Sequence, residues 1–516
     1  MRRIGIDVGG TNTDAVLLEG ERILRSIKTA TTADVTGGIK AALNHILEGR
    51  DGKGAGVDAI MIGTTHFTNA VIERRGLSRV AVIRIGLPAA HSIVPMQAWP
   101  EDLRVAVEGP VFLIRGGHEF DGRKIVEFDR GHMRKIAQEI RDSGVGAAAI
   151  TAVFSPLTAA CEEEAAAILA DVAPDVTVTL SSELGRIGLI ERENATILNS
   201  ALHALARQTV AAFEAAIADS GLTAPLYLTQ NDGTVMQAAH AARYPVLCFA
   251  SGPTNSMRGA RMLSGLDEAI VLDVGGTTTD AGMLVGGFPR EANSRVDIGG
   301  VATFFRMPDV IAVALGGGTI IDPETRKIGP TSVGYRISEK ALVRGGDTLT
   351  LTDIAVRIGR MAFGNADLVA DVSDELAAHV EAWIRSRLAD LVDRMKTSAA
   401  DIPVIAVGGG AALVPDSLPG VARIIKVEHA GVANAIGAAM AQVSGECDQV
   451  FYGVSREEAI YEAREIADAR AATAGANPES IELLDVEDVP LSYIPGNPLR
   501  VRVKVVGDLA LSGSRV

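Results

Sequence analysis

Aromatic residues are scarce in this chain: 4% of 516 residues, with two tryptophans. Its cores must therefore rest on aliphatic side chains and alanine. Cysteine is nearly absent. Cys161, Cys248 and Cys447 stand far apart with no CxxC pair, which excludes a disulfide framework or a cysteine zinc site and suits a reducing compartment. Cys248 lies in the apolar run 246–250 and reads as core packing, not as a nucleophile. A basic excess is also missing. The net charge is −15, which argues against a general nucleic-acid or anionic-membrane surface. No apolar run is long enough to cross a membrane, and charged residues at the start match no signal peptide; a cytoplasmic location is expected. His91, His118 and His132 have no partner at i+2 or i+4, so a histidine metal site is not indicated.

What the chain does contain is one nine-residue phrase, twice. Asp7-Val8-Gly9-Gly10-Thr11-Asn12-Thr13-Asp14-Ala15 returns as Asp273-Val274-Gly275-Gly276-Thr277-Thr278-Thr279-Asp280-Ala281, differing only at the sixth position. Short apolar runs flank both copies, which predicts strand, tight glycine turn, strand. Paired glycines let backbone approach an anion closely. Successive N–H groups in such a turn form an anion-binding concavity, and threonine hydroxyls add donors. An aspartate at the strand end would repel phosphate but can hold Mg²⁺ through water. Asp7 and Asp273 are the residues for that role. The bland alternative is a pair of ordinary Gly-Gly hairpins, which the near-identity of the copies disfavours.

Length allows two or three domains. Residues 2–29 read as three strands. A helix follows over 33–47, then a strand at 57–62 ending in Gly63-Thr64-Thr65-His66, a helix carrying Asn69 and Glu73, and a strand at 79–85. That order describes one half of an actin-like, ribonuclease-H-like α/β layer. Prolines interrupt 87–129, which reads as an insertion or subdomain edge. Helices are predicted over 186–220, 254–263, 372–395 and 431–443, and strands at 226–229 and 403–407. The tail from Ser455 reads as a helix and two strands. The expected division is 1–185 and 186–450 as two actin-like domains and 451–516 as a small C-terminal α/β tail.

Taken together these stretches resemble the hydantoinase A / 5-oxoprolinase family of the acetate-kinase–sugar-kinase–Hsp70–actin superfamily. The resemblance rests on 6–14, Gly63-Thr64-Thr65 with Thr68-Asn69-Ala70, 180–183, Ser251-Gly252-Pro253, 273–280, 316–318 and Gly408-Gly409. It covers nearly the whole chain. It implies two actin-like ATPase domains with a nucleotide in the cleft between them, ATP and Mg²⁺ as cofactors, and ATP-dependent hydrolysis of a cyclic amide: a hydantoin, 5-oxoproline or lactam. It also implies a B-type partner subunit and assembly as an oligomer. Under that resemblance Gly9, Gly10, Thr11, Asn12 and Thr13 take one side of the triphosphate, and Gly275, Gly276, Thr277, Thr278 and Thr279 the other. Gly408, Gly409 and Gly410 either contact adenosine or form a plain strand-to-helix turn. Asp14 and Asp280 either orient a water or hydroxyl or cap their turns. His66 acts on substrate or simply faces solvent. Two rival readings are an acetone-carboxylase-like ATP-dependent activating subunit and an ATP-switched partner protein.

Overall fold

The structure is a computed structural model that describes residues 1–9, 12–30, 35–48, 56–184, 188–292, 296–303, 307–440, 442–492 and 496–510. Each phrase forms the tip of a hairpin. Arg2–Val8 pairs with Asn12–Glu19, and Ala269–Val274 pairs with Thr279–Val285. The registers are equivalent: Asp7 lies opposite Asp14, and Asp273 opposite Asp280. A third antiparallel strand flanks each return strand, Arg22–Ala30 in one case and Phe288–Pro289 in the other. Two parallel strands extend the other side, Ala59–Thr64 and Leu226–Thr229 in the first sheet, Ile402–Val407 and Val421–Lys426 in the second. Both sheets thus share the order third–second–first–fourth–fifth. This is the doubled actin-like α/β layer that the repeated phrase implies. The inner strands are apolar on both faces, as parallel strands covered on both sides must be; all six residues of Ala59–Thr64 are buried.

The strand expected at 79–85 does not join the first sheet. Val80–Leu87 is central in a separate parallel sheet, between Glu108–Arg115 and Ala147–Ala152, with Thr177–Leu180 outermost. Helices Arg130–Ser143 and Ala160–Val172 cover one face and the long helix Leu189–Asp219 the other. A strand apolar on both faces can be central in any parallel sheet, and the helix before it does not say which. The proline-rich 87–129 stretch supplies the edge strand of this unit.

The divisions expected at 185 and 450 also cut through one sheet. Leu226–Thr229, Thr234–Gln237, Gln442–Phe451, Leu499–Gly507 and Glu482–Pro490 extend the N-terminal sheet to nine strands, so the tail belongs to the first body. The helix predicted to Val443 stops at Met440, and Gln442–Phe451 is a strand. Its inward positions are Val443, Gly445 and Cys447, small residues that carry little strand signal. Gly445 is required there, because a Cβ would meet the Ala467 carbonyl of the covering helix Arg456–Thr473.

Two helices bridge the bodies. Ser251–Ser264 packs on the second sheet and Ala433–Met440 on the first, and they pack on each other. Their approach depends on missing side chains. A Cβ at Gly259 would strike the Ala433 carbonyl, one at Gly437 the Asn255 carbonyl, and one at Gly5 the Ala435 carbonyl and Ala439. Gly437→Ala should therefore cost about 1–3 kcal/mol of folding stability through overpacking. Gly146→Ala, where nothing lies within 4 Å, should stay within about 0.5 kcal/mol. Urea denaturation of the two variants tests the contrast, and equal midpoints would refute this account of the interface.

Candidate active site

The two tips are built alike. Gly9 N–H donates to Asn12 O at 3.0 Å, and Gly275 N–H to Thr278 O at 2.9 Å. Gly10 and Thr11 lie outside the described residues. Asn12, Gly276, Thr277 and Thr278 are exposed at the tips. Thr13 and Thr279 are not, because strand alternation turns them inward: both are fully buried, and the Thr279 hydroxyl donates to Leu315 O at 2.6 Å. Their side chains therefore brace the hairpins and do not line the tips, whereas the sequence reading places both with the phosphate-facing residues.

Glycine loops support the second tip from behind. Gly317 N–H donates to Gly275 O at 2.9 Å and Gly318 N–H to Gly276 O at 2.7 Å. Gly410 N–H donates to Val274 O at 2.7 Å, and Gly408 N–H is taken by Ala430 O. Gly408 adopts φ +86° directly behind Asp273, a conformation and a proximity that only glycine tolerates. Gly409 alone has open space around its Cα. The first tip is met by the end of strand Ala59–Thr64, where Val8 pairs with Thr64 and Thr65 N–H reaches Val8 O. His66 opens the next helix, its N–H on Thr64 Oγ1 at 3.1 Å. It is half-buried, and desolvation holds its pKa below that of an ordinary imidazole, which favours the neutral ring.

The four phrase aspartates gather between the tips. Burial pushes Asp7 up to about 7, helped by repulsion from Asp14 and Asp273. Asp280 is likewise pushed up to about 7 by burial and by Asp273. Asp14 and Asp273 are raised too, again chiefly by burial. Opposing charge comes from Lys28, whose Nζ sits 2.5 Å from Asp14 Oδ2 and which also lowers Asp273. Among the described residues, Asp7 Oδ1 and Asp14 Oδ1 are buried without a hydrogen-bond partner. Crowded carboxylates with orphaned oxygens fit a divalent cation. Among the described residues no group of three or more His, Cys, Asp or Glu could ligate a metal directly, so these residues fit a cation held through water, the usual habit of Mg²⁺.

Four further residues reach these aspartates. Lys28 could have been found by counting the hairpin register, in which it pairs with Asp14. Asn255, Ser256 and Asn434 carry no local signal; only the packing of the bridging helices brings them in. Ser256 Oγ contacts both Asp273 Oδ2 and Asn434 Oδ1. Asn434 Nδ2 donates to Asp7 Oδ2 at 3.4 Å, and the nearby Asn255 carboxamide also eases the charge on Asp7. Away from these aspartates, a cavity of about 790 Å³ opens beside Gln230, Asp232 and Asp448. Asp448 and Arg500, both in its lining, pair with each other, and Asp232 pairs with Lys504.

Residues 3–173 match the hydantoinase/oxoprolinase N-terminal region, and residues 192–402 match hydantoinase/oxoprolinase. The chain belongs to the hydantoinase/oxoprolinase family. It is similar to the caprolactamase alpha subunit of Pseudomonas jessenii, with 26% identity over 425 residues, 75% of this chain and 58% of that protein. It is also similar to the acetone carboxylase beta subunit of Xanthobacter autotrophicus, with 22% identity, covering 69% of this chain and 54% of that one. The chain thus spans little more than half the length of these family relatives. The crystal structure of the ATP-dependent caprolactamase from Pseudomonas jessenii shares the fold, with TM-score 0.76 and 19% identity over 98% of this chain and 88% of that one. No helix among the described residues is long and apolar enough to cross a membrane.

The raised aspartates have a measurable consequence. A carboxyl that titrates near 3.8 when unfolded and near 7 when folded leaves stability intact below about pH 4 and removes it progressively up to about pH 7. Asp280→Asn escapes this loss. Its stability relative to the wild type should therefore grow as pH rises from about 4 to 7, and Mg²⁺ should shrink the gap. Urea midpoints measured across that range test this; a flat difference would contradict it.

Proposed function

We propose that this chain is the ATP-using, A-type component of an enzyme that opens a cyclic amide: a hydantoin, 5-oxoproline or another lactam. The supporting observation is that two matching glycine hairpins each carry a pair of aspartates in register, and that the two pairs repel each other across two bridging helices. In this reading the triphosphate lies between the tips. Gly9 and Asn12, with Gly10 and Thr11, cradle one side, and Gly275, Gly276, Thr277 and Thr278 the other. Gly409, open to the cleft side of its loop, takes the adenosine end, while Gly408 and Gly410 hold the second tip in shape. Asp7 and Asp273 hold Mg²⁺ through water, with the free oxygen of Asp14 beside them. When bound, Mg²⁺ supplies neutralising charge to the phosphates.

The overall chemistry moves the γ-phosphoryl group to the amide oxygen with release of ADP. Water then cleaves the weakened C–N bond, giving the ring-opened acid and phosphate. Such transfers depend on positioning and charge neutralisation more than on covalent work by the protein. Lys28 adds a fixed positive charge on the Asp14 side. Asp280, carrying a proton near neutral pH, can donate to or orient a water or hydroxyl. His66, neutral at the end of the Ala59–Thr64 strand, can accept a hydrogen bond from the amide N–H. The likeness to the caprolactamase alpha subunit supports the amide reading. A B-type partner subunit, an oligomeric assembly and a cytoplasmic location complete the proposal. The likeness to the acetone carboxylase beta subunit supports a second reading, in which a ketone and bicarbonate replace the amide.

The deciding assay is Mg²⁺-dependent ATP hydrolysis by the purified chain, alone and with its partner, against hydantoins, 5-oxoproline and unsubstituted lactams. Turnover that rises with one cyclic amide is expected. A rise only with ketone and bicarbonate would transfer the assignment to the second reading, and turnover indifferent to every small molecule would refute both. Asp273→Asn should abolish turnover without lowering the thermal midpoint. Lys28→Ala should lower kcat about a hundredfold, the scale of losing one preorganised charge-stabilising group.

A further inference from the structure

One line of polar contacts runs from the first phrase to the second without leaving the protein. It starts at Asp7, passes to the Asn434 carboxamide, crosses to the Ser256 hydroxyl and ends on Asp273. Asp7 and Asn434 belong to the first body; Ser256 and Asp273 belong to the second. The Asn434–Ser256 contact is therefore the step at which this line crosses the interface between the bridging helices. Ser256 is 1% exposed, and so is its neighbour Asn255. Asn255 turns the other way, donating to Thr229 Oγ1 at 3.2 Å and easing the charge on Asp7. Two consecutive residues of one helix thus act on the aspartates of opposite phrases.

The surrounding packing leaves this line little freedom. Gly259 against Ala433 and Gly437 against Asn255 place the two helix backbones in direct contact on either side of it. A small rotation of one body against the other would change the spacing of Asp7 and Asp273, and it could not do so without breaking the Asn434–Ser256 contact. Short polar side chains suit this role, because they have few rotamers and fix a distance closely.

We propose that Ser256 and Asn434 form a latch between the two bodies that sets the spacing of Asp7 and Asp273 needed to hold the cation against the phosphates. Both are positioning residues. They act through Asp7 and Asp273 and do not touch the reacting atoms. The proposal rests on the nucleotide reading above and adds to it the residues that register its two halves.

The test is calorimetric binding of ADP, with and without Mg²⁺, to the full chain and to Ser256→Ala, Asn434→Ala and the double variant. Each single variant should weaken Mg²⁺-ADP binding about tenfold, the scale of one hydrogen bond to a charged group. The double variant should be no weaker than about the worse single one, because the two side chains form one chain of contacts. ADP without Mg²⁺ should bind all four proteins within about twofold. Additive losses, or single variants that bind Mg²⁺-ADP like the wild type, would overturn the latch and leave the nucleotide reading standing. Loss of metal-free ADP binding in the single variants would reveal a merely structural role and overturn it too. A wild-type chain that binds no Mg²⁺-ADP would overturn the nucleotide reading and the latch together.

Discussion

The carbonyl oxygens of Asn255, Ala433 and Ala435 fill the space that side chains at Gly437, Gly259 and Gly5 would occupy. Everything at the candidate site depends on that close approach. It lets two helices pack directly between the sheets, and it brings Asp7 and Asp273, 266 residues apart in sequence, within reach of each other's charge. Wider spacing would leave each aspartate pair beside its own tip, solvated and ordinary. At this spacing Asp7 and Asp273 sense each other's charge, and Lys28 of one body acts on Asp273 of the other.

That proximity carries an electrostatic cost. Buried carboxylates close together resist ionisation, and among the described residues none hydrogen-bonds Asp7 Oδ1 or Asp14 Oδ1. A protein selected for stability alone would place asparagine or an apolar residue at such positions. Unrelieved burial of this kind marks a site whose missing partner is a ligand. In the function proposed here, that ligand is the phosphate chain of a nucleotide with its cation. The tail and the glycine loops serve the same arrangement from further away: Gly408 and Gly410 buttress the second tip, and the C-terminal strands complete the first sheet.

Much of this was legible in the residues. The doubled phrase announced both hairpins, the position of all four aspartates and the two-body plan, because glycine pairs between apolar runs leave a local trace. Sheet membership was not legible. Val80–Leu87 reads as a buried strand in any sheet, and the tail strands show their own alternation but not their neighbour. Gln442–Phe451 was hidden because its inward face is made of small residues chosen to fit under a helix. The strand alternation that buries Thr13 and Thr279 follows from the register and could have been drawn from the sequence. Asn255, Ser256 and Asn434 could not, since their importance arises only from helix packing between distant parts of the chain.

The most direct test of the central claim is a structure of the chain with Mg²⁺ and a non-hydrolysable ATP analogue. The account predicts phosphates between the tips at 9–12 and 275–278, with the cation a water's length from Asp7 and Asp273. A nucleotide seated elsewhere, such as the cavity beside Gln230 and Asp448, or touching only one tip, would contradict it.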